Sequence, residues 1–283
     1  MGLSLTSGPS AGGLGDKTFD IKGKAGDEAA GMYHMRLPGP ALVRIVAGMS
    51  EVPPVPPAPV TTVDEAIARM QAIAAELPPA DGVACFNRMY LDVTSQVNAE
   101  LDNGFYADRA FMTQLDVNFA NLYFDAVNRG DDVKAVPRAW RPLFERRADP
   151  GIEEIQFALA GTNAHINHDL PIAMVDTCQA LATAPDIDPH HADYQKVDVL
   201  LDAAEEAIRR SFEDECERTL DRRLAAVANF VVNWGINSAR DLAWTNAQLL
   251  WVVRHEELAH ELFLDSLTKA TELAGRMLLV AVP

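Results

Sequence analysis

The stretch Gly82–Gly104, GVACFNRMYLDVTSQVNAELDNG, decides the fold class. Val83, Phe86, Tyr90, Val93, Val97 and Leu101 recur at three- and four-residue spacings, and the pattern stops at Asn103-Gly104. That periodicity places one apolar stripe along a helix and turns it toward a core. Upstream, TTVDEAIARMQAIAAELPP (61–79) opens with the capping-box pair Thr62 and Glu65 and ends at Pro78-Pro79. Downstream, Phe111, Leu115, Phe119, Leu122 and Ala126 form a third stripe before Arg129-Gly130. Further helices are expected around 138–148, 152–169, 171–183, 193–216, 219–235, 238–253 and 255–275. No strand-like alternation bounded by turn residues occurs after residue 60. The expected fold is all-α: a single multi-helix, bundle-like domain over residues 61–283.

Residues 1–60 read differently. They hold 10 of the 17 glycines and 8 of the 17 prolines and end in PPVPPAP, which favours extended polyproline geometry. ALVRIVAGM within them is apolar enough to dock, so an extended Gly/Pro-rich arm is expected, packing on its own or a neighbouring subunit. The oligomeric state stays open.

The net charge of -17 comes from 41 acidic against 24 basic residues. Five of each sign fall in the first 60 residues, so the whole excess belongs to the helical part. Such a surface repels phosphate backbones and anionic headgroups, which argues against nucleic acid and acidic membranes as partners. No apolar run approaches the roughly 20 residues of a membrane helix. The beginning MGLSLTSGPSAGGLG lacks the basic start and apolar centre of a secretory signal, and a cytoplasmic protein is expected. Cys85, Cys178 and Cys216 are widely spaced, without a CxxC pair, and read as small buried residues.

Gly161–Pro171, GTNAHINHDLP, interrupts this apolar sequence with hydrogen-bonding side chains. Projected at about 100° per residue, Ile155, Leu159, Ile166 and Leu170 form a stripe. Thr162, His165 and Asp169 line one edge, and Asn163 and Asn167 the other. Phe157 and Ala164 are apolar on the far side, so the helix is expected to be enclosed, then kinked or restarted at Pro171. Asp169 then caps the following helix, or it orients His165 as a general base or metal ligand. His168 is expected to point away from that pair and be exposed.

A second anomaly lies in LLWVVRHEELAHELFLDSL (249–267). Leu249, Val252, Val253, Phe263, Leu264 and Leu267 define an apolar face into which Glu256, Glu257 and His260 project. HEELAH is one residue too long for a zincin pair. Glu257-x-x-His260 matches half of a di-iron pattern, without a second copy. A single Zn, Fe or Mn ion held by His165, Asp169, Glu257 and His260 is the alternative expectation. The histidines of DIDPHHADY (186–194) are expected in an exposed loop. Arg240, Asp241 and Trp244 could aim a cation and an indole at the core. No GxGxxG, Walker A or GxSxG arrangement occurs, so nucleotide cofactors and an α/β-hydrolase triad are unsupported.

Together, CFNRMYLDVT, LDVNFANLYFDA, GTNAHINHDLP, ADYQKVD and RDLAW resemble a bacterial all-helical family known as a domain of unknown function. Its hallmark is an N-A-H-I-N-x-D-L motif, and the likeness covers roughly residues 63–253. The resemblance singles out Asn163, His165, Asn167 and Asp169, with Asp193, Arg240 and Trp244 from the other segments; it carries no activity. The functional expectation is cofactor-free acid/base chemistry, a cyclisation, isomerisation or hydrolysis, on a small apolar molecule between helices. His165 tuned by Asp169 would move the proton, Asn163, Asn167 and Arg240 would position the substrate, and Tyr90, Trp244 and Glu256 would line the pocket. The rivals are a metal-dependent hydrolase or oxygenase and a non-catalytic binding or scaffold protein.

Overall fold

A computed structural model of the chain describes residues 57–201 and 235–281. Most of the expected arm, the helix expected over 219–235, the end of the one over 193–216, and Cys216 lie outside these residues. All regular structure in the described part is helical, in the order α1 (Val63–Glu76), α2 (Gly82–Asp102), α3 (Arg109–Asn128), α4 (Arg141–Arg146) and α5 (Glu154–Ala164). A π-turn (His165–Asp169) joins α5 to α6 (Leu170–Ala180). A helical stretch at 190–201 (α7), then α8 (Ile236–Val253) and α9 (Glu257–Leu278) complete the set.

Local signals fix the helix ends. Thr62 and Glu65 form the expected capping box on α1, while Asp81 and Asp108 accept hydrogen bonds from the first-turn amides of α2 and α3. Residues 57–60 carry no regular structure, and Val60 is pinned to α3 by the Asn121 side chain, which accepts from its N–H and donates to its carbonyl.

The run α5, π-turn and α6 is the axis of the domain. α2 and α9 pack on α5, α3 and α8 pack on α6, and α3, α8 and α9 all reach the π-turn. That enclosure matches the sequence of α5, where every residue from Gln156 to Ala164 is buried. Around the axis, Phe86, Tyr123, Trp140 and Phe157 are almost wholly buried. Phe86 meets Tyr123 and Trp140 edge to face at 5.1 and 5.2 Å, a favoured aromatic geometry. Asn87 ties three helices together: it donates to the Met70 carbonyl of α1 and accepts from the Tyr123 hydroxyl of α3.

Amide side chains also hold α9. Gln156 donates to the carbonyls of Leu278 and Val280, and Asn163 donates to the carbonyl of Thr271. α9 itself buries only Thr271, Gly275 and Leu278.

The apolar face expected across 249–267 is not enclosed. Leu249 and Val252 are 47% and 72% exposed, and Glu256 and Glu257 are exposed as well. The chain leaves helical geometry between Val253 and Glu257, so one helical projection cannot span both sides of the break. Glu256 and Glu257 sit at the start of α9, where negative charge meets the positive end of the helix dipole. DIDPHHADY also departs from expectation. His191 is exposed, but His190 is buried, stacked on Phe111 at 3.8 Å, with Nδ1 3.0 Å from the Ala184 carbonyl.

α5 crosses α2 at Gly161, where a Cβ would lie 2.4 Å from the Phe86 ring. Phe86 cannot yield, because Tyr90, Tyr123 and Trp140 surround it. Alanine is the better helix former by up to about 1 kcal/mol, yet Gly161→Ala is expected to destabilise by about 1–3 kcal/mol through overpacking. Urea denaturation of the variant beside the wild type measures this, and an unchanged or raised midpoint contradicts the packing described.

Candidate functional site

Pro171 has no N–H to donate, so an α-helix running through it would leave a carbonyl unpaired one turn back. The chain widens there instead: the Leu170 N–H donates to the His165 carbonyl, five residues away, and His165–Asp169 form one π-turn. Such turns are rare and occur often at functional sites.

The π-turn gathers three N–H donors on one buried carboxylate. Asp169 Oδ2 accepts from Trp140 Nε1 at 2.8 Å and lies 3.1 Å from His165 Nδ1; Oδ1 lies 2.8 Å from His168 Nδ1. His168 is therefore half-buried and joined to Asp169, with Nε2 3.1 Å from the Thr268 hydroxyl, rather than exposed. The capping role is also set aside, since the Asp169 side chain bonds no first-turn amide of α6. Burial pushes its pKa up, but hydrogen bonds from His165 and His168 outweigh burial and hold it below the ordinary carboxylate value. As an ionised acceptor, Asp169 fixes the proton of His165 on Nδ1.

Among the described residues, the other nitrogen of His165 has no partner. Nε2 is buried and meets neither donor nor acceptor. The ring lies flat against Phe119 at 3.4 Å, and Tyr90 meets it edge-on at 4.5 Å. Burial pulls its pKa down and Asp169 only partly restores it, so the neutral ring prevails at neutral pH.

His165 lines a largely apolar cavity. Tyr90, Thr94 and Phe86 of α2, Asp116 and Phe119 of α3, Tyr194 of α7 and Arg240 of α8 share the lining. Several of its polar atoms are buried without a hydrogen bond: Tyr90 Oη, Thr94 Oγ1, Asp116 Oδ2 and His165 Nε2. Tyr90 is driven well above its ordinary pKa by burial and then by the nearby Asp116 charge. The Thr94 hydroxyl pulls Tyr90 weakly the other way, although the pair falls short of hydrogen-bond geometry. Asp116 keeps part of its surface toward the cavity while Oδ2 is sealed, and burial pushes its pKa up to about 7.

Asp116 is the residue that sequence reasoning missed. Its signal is the spacing Met112, Asp116, Phe119, which sets a carboxyl among apolar neighbours on one helical face.

The remaining candidates are spread around the site. Asn163 and Asn167 bond each other at 3.0 Å, and Asn163 reaches α9, so neither lines the cavity. Arg240 lines it and donates from Nε to Asp198 and from Nη2 to the Tyr194 carbonyl, both at 2.6 Å, over the Tyr194 ring. Trp244 packs on Tyr194 and His191 behind the wall. Asp193 accepts from the Ala107 and Asp108 amides and from Lys196, fixing the loop before α3. Glu256 and Glu257 lie at the exposed start of α9, and His260 is half-exposed one turn on. Among the described residues, no group of three or more His, Cys, Asp or Glu could hold a metal ion, so His165 and Asp169 do not meet Glu257 and His260 in one ligand set. No helix among them is long and apolar enough to cross a membrane.

Residues 63–281 match the family of unknown function DUF5995, so the likeness runs on through α9. The chain belongs to that family. Comparison with curated proteins and with solved structures gives no match.

Two carboxyls of opposite tuning give opposite responses to pH. Asp169, held low, contributes stability that is present above pH ~4 and is lost as acid protonates the folded carboxylate. Asp169→Asn is expected to cost roughly 3 kcal/mol near neutrality and to flatten that acid limb. Asp116, held high, removes stability as pH rises from ~4 toward 7. Asp116→Asn is expected to melt higher than the wild type at pH ~8 and at the same temperature near pH ~3, where the Asp116 carboxyl is neutral in the folded and the unfolded chain alike. Melting curves across pH check both variants.

Proposed function

We propose that this chain is an enzyme acting on a small, largely apolar molecule by cofactor-free acid/base chemistry in the cavity between its helices. The observation that carries the reading is the buried, unpartnered Nε2 of His165. Leaving such a group unpaired costs about 1–3 kcal/mol, which a ligand bringing a proton to that nitrogen would recover.

Asp169 holds the other ring nitrogen as N–H, which leaves the Nε2 lone pair as the base. When Nε2 takes a proton, the imidazolium forms against the Asp169 carboxylate and is stabilised by it. One imidazole can lift a proton from one substrate atom and return it to another, so isomerisation or cyclisation fits these residues best. Hydrolysis would use the same nitrogen to draw a proton from water. Tyr90 and Thr94, whose hydroxyls have no partner among the described residues, would hold a carbonyl or hydroxyl in the cavity. That positioning role falls to them because the amides of Asn163 and Asn167 are engaged on the α9 side.

Nitrobenzisoxazole, a flat apolar compound whose ring opens when a base removes its ring proton, tests for a usable base. The wild type is expected to open it faster than buffer, with kcat/KM rising through a midpoint below the ordinary histidine value of 6.5. His165→Gln is expected to lose roughly 100-fold of that kcat/KM. Absence of acceleration by the wild type, or a rate that survives in His165→Gln, overturns the reading in favour of a binding protein.

A further inference from the structure

Among the described residues, three side chains able to carry full charge near neutral pH line the cavity: His165, Asp116 and Arg240. His165 is paired with Asp169, and Arg240 with Asp198. Among the described residues Asp116 has no such partner, and its Oδ2 is sealed without a hydrogen bond. Its place on the wall is apolar: Met112 one turn before it and Phe119 one turn after it line the same cavity. The polar groups that line the cavity from other elements do not answer a carboxylate with charge. Tyr90 and Thr94 of α2 are neutral hydroxyls, His165 is held neutral by burial, and the Arg240 guanidinium is paired with Asp198.

We propose that the cavity takes an apolar molecule bearing a basic amine, with the Asp116 carboxylate as its counter-ion. This deepens the reading of the cavity as a ligand site and does not require His165 to act as a base.

A carboxylate in an apolar wall is costly unless something pairs with it. An ammonium group supplies both the charge and N–H donors, and bonds between charged groups are stronger than neutral ones. A hydroxyl in the same place would satisfy geometry without the charge, and an anion would set like charge beside Asp116. The lining suits a cation as well, because it includes the aromatic side chains of Tyr90, Phe86 and Phe119, and aromatic rings attract positive charge. The net charge of -17 raises the local concentration of cations around the whole chain.

Calorimetric titration near neutral pH of phenylbutylamine and of phenylbutanol, its uncharged counterpart, tests the assignment on the full chain. The amine is expected to bind about ten-fold tighter or better. Asp116→Asn is expected to bring the two affinities together, and its melting temperature confirms that the variant folds. His165→Gln is expected to keep the amine preference. Equal affinities in the wild type, a preference that survives in Asp116→Asn, or no binding of either compound overturns the proposal. An amine preference without opening of nitrobenzisoxazole would sink the base alone, and opening without a preference would sink the amine assignment alone.

Discussion

The Asp169 carboxylate, closed off from water and held by three N–H groups, is the constraint on which the centre of this fold rests. An ionised carboxyl can remain at such depth only if several donors replace its water. Here they come from Trp140 just before α4 and from two histidines of the π-turn itself. Moving any of these elements leaves a charge partly unsatisfied. The carboxylate therefore locates Trp140 and the π-turn relative to each other more strictly than apolar contact would. The same requirement settles the tautomer of His165, so a choice made for structural reasons also decides which ring nitrogen is left over.

Much of this was legible in the sequence. The stripes of α1, α2 and α3 have one apolar face each and clear stops, so period and caps place them. The axis was legible in part: GTNAHINHDLP is marked by its polar residues and Pro171, and the pairing of His165 with Asp169 at four residues follows from helical geometry. His168 was not, because it depends on a π-turn, and a projection at constant angle sends it outward. Glu256, Glu257 and His260 were misplaced for a related reason. A helix break resets the faces, and the apolar residues beyond it belong to an outer helix. Asp116 escaped notice because one carboxyl inside an apolar stripe reads as a solvated edge until the helices across from it are known.

The polar groups divide sharply by use. Those of α5 and of the α1–α3 junction are paired with backbone or with each other, as Gln156, Asn87 and Asn163 illustrate. Those on the cavity wall are left bare on four side chains. Buried polar atoms in proteins are seldom orphaned, and four of those among the described residues gather around one apolar space. A fold that satisfies its amides so fully elsewhere keeps these groups free at a cost in stability, a common feature of sites that act on a ligand.

The amides of Gln156 and Asn163 stand seven residues apart on α5. The carbonyls of Leu278 and Thr271 that they hold are also seven apart, in the reverse order along α9. The two helices are thus buttoned together antiparallel at matched intervals of two turns. α9 has little grease to hold it, so its alignment is digital rather than sliding: a shift by one residue undoes both buttons at once. One residue added or lost between Thr271 and Leu278 would leave one button closed and turn the other carbonyl by about 100°. A change in the length of that segment should therefore be matched by an equal change between Gln156 and Asn163, or not occur at all.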